Sequence, residues 1–265
     1  MLGRIRKALG RPPTASTAPR DSGPQFPKLE GVITPIAPED LVPRFEEEFA
    51  KVSGSPHRAS TAAELEEILR SIFEGSQATS AVLTRNPLLA QLGLPAKLRD
   101  WGKSVAQWPA GSAGAADPAD EKAFRDQCFS AGVGISGVDS VLAETGSLVL
   151  SSQTEGSQLA SLSPPIHVAL YRRAQVLGSL DEVLERHPLN SHNGAAPAAG
   201  RSAVFITGPS RTADIEQILI RGVHGPRNVH AILVEESCLA ELGASRKLDS
   251  TAGLSGYHIE PCGIK

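Results

Sequence analysis

The alternation of segments that decides the fold class is clearest in residues 202–236, SAVFITGPSRTADIEQILIRGVHGPRNVHAILVEE. The apolar run Ala203–Thr207 predicts a buried strand, and the Gly208-Pro209 pair predicts a turn. The segment from Ser210 to Arg221 predicts a short helix, and a second apolar run follows the His-Gly-Pro break. Strand, helix and strand in this order are typical of an α/β fold.

The turn at Gly208 is a candidate anion site. A helix that begins there would direct free backbone N–H groups beyond the end of the strand, which favours a carboxylate or phosphate. Arg211 adds a planar, charged donor that suits the same groups. The alternative is a self-capped helix, because Asp214 and Glu216 would already occupy its positive end. The residues that would line the site are Gly208, Ser210, Arg211 and Thr212.

Two further segments carry candidate chemistry. AETGSLVL (143–150) predicts a hairpin with a tight turn at Thr145-Gly146, where Gly146 and Ser147 could help to bind a ligand and Glu144 could act as base or nucleophile. His224 lies between glycines in GVHGP and could transfer a proton near neutral pH. The alternatives are a hairpin with polar tips and a histidine hydrogen-bonded to backbone groups.

The rest of the chain continues the alternation. Helices are predicted at Glu39–Val52, at Thr61–Phe73 with Thr61 as its cap, and at PADEKAFRDQCFSAG (118–132) with Asp120 as its cap. Strands are predicted at 80–84, 104–108, 163–171 and 174–178, and a short helix at Ser179–His187. The expected fold is therefore α/β, with a Rossmann-like, mostly parallel sheet and a β-hairpin insertion.

Composition excludes several classes of protein. The 265 residues are 40% hydrophobic and 21% charged, as in an ordinary globular protein. The net charge of −3 and the 4% of aromatic residues argue against nucleic-acid binding. No apolar run reaches the roughly 20 residues of a membrane helix, so we expect no integral membrane segment.

The cysteines and histidines predict no metal centre in this chain. Cys128, Cys238 and Cys262 form no CxxC pair, and the histidines lack the spacing of a metal site. A sparse, odd cysteine count without a signal peptide fits a reducing compartment, so we expect a cytoplasmic protein.

The N-terminal segment differs from the rest. Residues 1–10 have apolar side chains at helical spacing among basic ones, and the following residues are rich in Pro, Ser and Thr. We expect residues 1–30 to form a helical arm with a Pro-rich linker, and residues 31–265 to form the α/β domain.

Several of these segments resemble the signature blocks of the lactate utilization protein C family, also called the LUD domain. The blocks are GVDSVLAETGSLVLSS (137–152), SLSPPIHVAL (161–170), ITGPSRTADIEQILIRGVHGPRNVHAILVE (206–235) and the N-terminal RIRKALG (4–10). Their order and distances match, and the resemblance covers most of the chain.

The resemblance implies a fold similar to the sugar-phosphate isomerases and CoA transferases. It also implies a role in bacterial lactate use, in which L-lactate is oxidised to pyruvate alongside an iron–sulfur subunit and a sister subunit with the same domain. The iron–sulfur clusters are expected on a partner, with no cofactor in this chain. No catalytic residue is transferred by the resemblance.

Three functions remain open from the sequence. The first is a subunit of a lactate-oxidising assembly, in which Arg211 holds a small carboxylate and His224 or Glu144 handles the hydroxyl proton. The second is a stand-alone enzyme for a phosphorylated sugar or a CoA ester, with Glu144 as nucleophile or base; this rests on fold-level analogy. The third is a non-catalytic assembly or regulatory module.

Overall fold

A computed structural model of the protein describes residues 35–109, 117–186, 202–213 and 219–243. The predicted N-terminal arm and linker lie outside these residues, as do Asp214, Glu216 and Cys262. The predicted domain boundary near residue 30 therefore stays a prediction.

The larger of the two main sheets contains six strands: β1 (Ser55–Ala59), β2 (Ser80–Leu83), β3 (Ser104–Gln107), β4 (Val133–Ser136), β7 (Ile166–Tyr171) and β12 (Asn228–Val234). Their order is β1-β12-β7-β4-β2-β3, and all neighbouring strands are parallel. Most side chains of β4 and β7 are apolar because both strands are covered on both faces. The expected α/β fold with a mostly parallel sheet is confirmed.

A second sheet contains the predicted hairpin. Its strands are β5 (Ser140–Leu142), β6 (Ser147–Ser151), β8 (Val176–Leu177) and β9 (Ala203–Ile206), in the order β8-β5-β6-β9. β5 and β6 are antiparallel, and Gly146 supplies the left-handed backbone of their turn with φ 63°. β9 was expected to be a buried strand; it pairs with β6 in this smaller sheet and is only partly buried, with Phe205 43% exposed.

The helix predicted after Gly208 is wrong where the structure describes the chain. Residues Arg211–Ala213 form strand β10 and Leu219–Arg221 form strand β11, and the two are antiparallel. Before β10, the N–H of Ser210 donates to the carbonyl of Pro226, and the N–H of Gly222 donates to the carbonyl of Ser210. These long-range bonds hold the chain extended, so tertiary pairing outweighs a weak helical preference.

The longer helices are α1 (Leu41–Lys51), α2 (Ala62–Ser76), α4 (Leu94–Asp100), α5 (Pro118–Ser130), α8 (Leu180–Arg186) and α9 (residues 236–243); α3 (Pro87–Gln91), α6 (Ser152–Glu155) and α7 (Leu159–Leu162) are shorter. Thr61 caps α2 as predicted, accepting from the N–H of Glu64 at 3.1 Å. The cap predicted for α5 is wrong: Asp117 fills that position because Pro118 begins the helix earlier. No helix in the described ranges is long and apolar enough to cross a membrane.

Alternate residues of the central strand β7 enter different cores. Val168 and Leu170 pack with α2 and α4, whereas Ala169 and Tyr171 pack with α1 and the second sheet. A third cluster, built around Phe124 and Cys128 of α5, covers the same face as the second sheet at the far end of the large sheet. One face of the large sheet is therefore covered by α1, the second sheet and α5.

Candidate functional site

The structure brings the two predicted glycine turns together. Ser147, at the start of β6, shares hydrogen bonds with the hydroxyls of Thr145 at 2.8 Å and of Thr207 at 2.6 Å. Gly208 follows Thr207 directly. The hairpin turn and the turn after β9 are thus parts of one surface, which sequence reasoning treated as separate candidates.

This surface packs against the C-terminal end of α1. A Cβ atom at Gly208, where φ is 81°, would overlap the carbonyl oxygen of Val52, and a Cβ atom at Gly146 would overlap the backbone of Glu48 and Phe49. Both positions therefore require glycine for close approach as well as for backbone conformation.

Arg211 makes its hydrogen bonds to the same helix end. Its Nη2 donates to the carbonyl oxygen of Val52 at 2.6 Å and contacts the hydroxyl of Ser53 at 2.5 Å. The carboxyl end of a helix carries partial negative charge, which a guanidinium stabilises. In this conformation Arg211 binds the carbonyl of Val52, whose partial charge is negative, as is the charge of the predicted carboxylate or phosphate ligand.

The other predicted residues are distributed around this surface. Ser210 contacts the GVHGP segment, since its backbone N–H donates to the carbonyl of Pro226 at 2.9 Å. Thr212 lies in β10, paired with Ile220. His224 is exposed in the loop before β12.

Glu144 serves a different element from the one predicted. Its Oε1 accepts a hydrogen bond of 2.7 Å from the backbone N–H of Leu180, the first residue of α8. A carboxylate at this position stabilises the start of the helix. The contact gives Glu144 a structural role; its predicted role as base or nucleophile stays a prediction.

Sequence reasoning missed a buried carboxylate at the carboxyl ends of β2 and β4. Glu155 is 0% exposed. Its Oε2 accepts from the hydroxyl of Thr84 at 2.6 Å and from the N–H of Gly137 at 3.1 Å, and its Oε1 accepts from the side-chain amide of Asn86. Burial raises the pKa of Glu155, and the three donors oppose that shift.

The position of Glu155 is the one that open α/β sheets use for ligands. The chain runs from β2 outward to its neighbour β3 and then returns to the other side of β2 as β4. Ligands of such sheets bind beside the carboxyl ends of strands at this kind of reversal. Here the crevice between β2 and β4 holds the side chain of Glu155, and the adjacent Arg85 donates to the carbonyl of Gln153 at 3.0 Å.

A sequence signal for this network existed. Thr84 ends a strand that the sequence predicts, and Arg85 and Asn86 follow it, where polar residues of an α/β protein often have a functional role. Glu155 gave no such signal, because it lies in the short helix α6 within a run of polar residues.

A serine and a histidine are hydrogen-bonded beneath this edge. Ser136 Oγ lies 2.8 Å from His167 Nε2, and both residues are fully buried. Burial lowers the pKa of His167 to about 3, so the imidazole is neutral. Its Nδ1 has no hydrogen-bond partner in the described chain, which favours the tautomer with hydrogen on Nε2 donating to Ser136. A buried, inaccessible pair of this kind is a structural hydrogen bond.

The two described cysteines are buried in separate parts of the fold. Cys128 and Cys238 lie in different hydrophobic clusters. Burial raises the pKa of Cys128 to about 12 and also raises the pKa of Cys238. Within the described ranges, no three His, Cys, Asp or Glu residues are grouped so that they could hold a metal ion.

Comparison with known proteins identifies one family model and several relatives that share a name. The family model of the LUD domain matches residues 42–234. The lactate utilization protein C of Geobacillus kaustophilus is 29% identical over 238 residues, which cover 89% of this chain and 95% of that protein. The lactate utilization protein C of Bacillus subtilis is 28% identical over 242 residues, with the same coverage of 89% and 95%.

A solved structure shares the fold. The crystal structure of a DUF162 family protein from Deinococcus radiodurans aligns with a TM-score of 0.51 and 18% identity, covering 76% of this chain and 99% of that one. At this identity the likeness concerns the fold alone. Because the family model spans both sheets from α1 to β12, the chain belongs to the LUD domain family.

Proposed function

We propose that this protein is a subunit of a bacterial lactate-utilization system that oxidises L-lactate to pyruvate. The observation that carries the proposal is the alignment with relatives named lactate utilization protein C, which extends over 89% of this chain and 95% of theirs. Coverage of both proteins almost from end to end supports a shared role for the whole domain.

The reaction requires an electron acceptor. Oxidation of L-lactate to pyruvate removes two electrons and two protons, and an amino-acid side chain is no acceptor for such a pair. The proposal assigns the electrons to iron–sulfur clusters of a partner subunit, and the protons to side chains near the substrate. Cys128 and Cys238 lie in different hydrophobic cores, and this separation supports placing the iron–sulfur clusters outside this pair of residues.

The proposed contribution of this chain is to bind a small carboxylate and to dock on the iron–sulfur subunit and on a sister subunit with the same domain. Arg211 is the clamp that the sequence predicts, and Glu144 and His224 are the predicted proton-transfer groups. Arg211 would have to exchange the carbonyl of Val52 for a ligand carboxylate, and Glu144 would have to release the N–H of Leu180.

Gene deletion and complementation test the proposal. A deletion strain should lose growth on L-lactate as sole carbon source, keep growth on pyruvate, and recover with the wild-type gene. Affinity purification of the tagged protein from lactate-grown cells should recover a protein with iron–sulfur absorbance. Normal growth of the deletion strain on L-lactate, in a background without a second copy, would contradict the proposal.

A reconstituted assay separates catalysis from assembly. The Glu144→Ala, His224→Ala and Arg211→Ala proteins should each assemble with the partners and slow lactate oxidation. If all three variants oxidise L-lactate at the wild-type rate, the chain acts as an assembly module and the catalytic part of the proposal fails.

A further inference from the structure

The phenol of Tyr171 is buried without a hydrogen-bond partner. Tyr171 ends strand β7, is 0% exposed, and packs edge-on against Phe45 of α1 with 5.3 Å between ring centroids. Its hydroxyl contacts no donor or acceptor in the described part of the chain. A buried hydroxyl without a partner is costly, and a phenylalanine would fill the same space without that cost. The fold alone gives no reason for this oxygen.

Two arginines lie at the same edge of the sheet. Arg58 of β1 and Tyr171 of β7 are both in register with Leu233 of β12, so they occupy one row across three parallel strands. Arg173 follows Tyr171 by two residues. This row is near the carboxyl end of the strands.

Each arginine is paired with a glutamate at the surface. Arg58 donates to Glu46 of α1 from Nε at 2.6 Å and from Nη2 at 2.5 Å. Arg173 Nη2 contacts Glu235 Oε1 at 2.5 Å. The side chains of Arg58 and Arg173 are 46% and 52% exposed, whereas those of Glu46 and Glu235 are 19% and 21% exposed, so both pairs are partly solvated.

The charged groups of these two ion pairs all act electrostatically on the phenol of Tyr171. Burial is the main cause that raises the pKa of Tyr171; the carboxylates of Glu46 and Glu235 raise it further, and the guanidinium groups of Arg58 and Arg173 oppose them. The phenol is therefore protonated at neutral pH and is a hydrogen-bond donor without an acceptor.

We propose that Tyr171, Arg58 and Arg173 form a second binding site for the carboxylate of a small monocarboxylic acid, distinct from the predicted clamp at Arg211. The ligand carboxylate accepts the hydrogen bond of the phenol and takes over guanidinium contacts from Glu46 and Glu235, which turn to solvent. A carboxylate fits because it accepts from a planar guanidinium through two oxygens and still accepts from a third donor. The choice of L-lactate as the ligand to test rests on the proposed function.

Isothermal titration calorimetry on the purified full chain tests this site. The probes are L-lactate, acetate and inorganic phosphate, and the variants are Tyr171→Phe, Arg58→Gln and the control Arg125→Gln, an exposed arginine of α5. L-lactate should bind to the wild type and to the control. Its affinity should fall by about tenfold or more in Tyr171→Phe and in Arg58→Gln, as for loss of a charge-assisted hydrogen bond.

Two results would overturn the inference. One is wild-type affinity for L-lactate in both Tyr171→Phe and Arg58→Gln, and the other is the absence of L-lactate binding to the wild type at tens of millimolar. Stronger binding of phosphate than of either carboxylate would overturn the ligand class. Tyr171→Phe keeps the ring that packs on Phe45, so its thermal midpoint should equal or exceed that of the wild type.

This experiment separates the site from the proposed function. Binding that depends on Tyr171, together with normal growth of a deletion strain on L-lactate, would retain the site and reject the function. Lactate-dependent growth that needs the gene, without any binding to the purified chain, would retain the function and reject the site.

Discussion

Arg211 caps the carboxyl end of helix α1 through Val52, a residue 159 positions earlier in the chain. The hydrogen bond from Nη2 to the carbonyl oxygen of Val52 is 2.6 Å long, and the same nitrogen contacts Ser53 Oγ. The sequence assigns Arg211 to an external anion. The structure gives it an internal one, the partial negative charge of a helix end.

Arg211→Ala should therefore reduce stability. Loss of two hydrogen bonds at a solvent-accessible helix end is expected to lower the free energy of unfolding by about 1 kcal/mol. Urea denaturation of the variant, beside the control Arg125→Ala on α5, measures this. Unchanged stability combined with lost growth on L-lactate would contradict the capping role and favour the ligand clamp.

Glycine substitutions should separate backbone strain from steric overlap. Gly208→Ala combines φ 81° with overlap of the Val52 carbonyl, whereas Gly102→Ala places a methyl group in open space at φ 73°. We expect a loss of about 1 kcal/mol for Gly102→Ala and of about 3 kcal/mol for Gly208→Ala.

Gly75→Ala is the matched control for these glycines. Gly75 lies in α2 with nothing near its added Cβ atom, so alanine should stabilise the protein by about 0.5–1 kcal/mol. Chemical denaturation gives all three values. Equal losses at Gly102 and Gly208 would show that α1 does not press against the turn after β9.

Glu155→Gln should destabilise the carboxyl edge of the parallel sheet. The carboxylate of Glu155 accepts hydrogen bonds from three donors, and in glutamine an NH₂ group would replace one of its two oxygens. At least one buried donor is then unpaired, which should lower the free energy of unfolding by about 2 kcal/mol. Glu67→Gln, at an exposed carboxylate on α2, should be neutral. A neutral Glu155→Gln would show that the network is open to water.

The same variant should change the dependence of stability on pH. The pKa of Glu155 is raised in the folded state above the value of 4.5, so the folded protein holds this proton more tightly than the unfolded chain. Its contribution is complete below pH 4.5 and is lost as pH rises through the folded pKa. The stability of the wild type relative to Glu155→Gln should therefore fall with rising pH above 4.5; a constant difference would contradict the shift.

His167 should change the dependence of stability on pH in the direction opposite to that of Glu155. Burial, followed by the nearby His230, lowers the pKa of His167 from 6.5 to about 3. Its contribution to stability is complete above pH 6.5 and is lost as pH falls toward 3, at up to about 1.4 kcal/mol per pH unit. Urea denaturation between pH 7 and pH 4 should show a shallower loss in His167→Asn than in the wild type, and equal slopes would exclude a buried neutral imidazole.

Much of the architecture follows from local sequence. The apolar runs that became β2 and β7 are nearly continuous because both faces of a parallel sheet are covered, and this pattern is visible without coordinates. The hairpin of β5 and β6 was predictable from Gly146, since a tight turn needs a residue that tolerates positive φ.

The candidate site was less predictable, because its contacts join distant parts of the chain. Glu155 meets Thr84 across 71 residues, and the extended segments β10 and β11 are held by bonds from Ser210 to Pro226 and Gly222. A helical preference of a few tenths of a kcal/mol per residue is smaller than such pairing, so the local pattern predicted the wrong element.

By itself, the sequence determined most of the strand and helix alternation, the need for glycine at the turns, and membership of the LUD family. Only the tertiary structure decided which partner each polar group has: Val52 for Arg211, Leu180 for Glu144, three donors for Glu155 and none among the described residues for the phenol of Tyr171. The reason is that conformational preference is local, whereas the burial and pairing of a side chain depend on every element that packs around it.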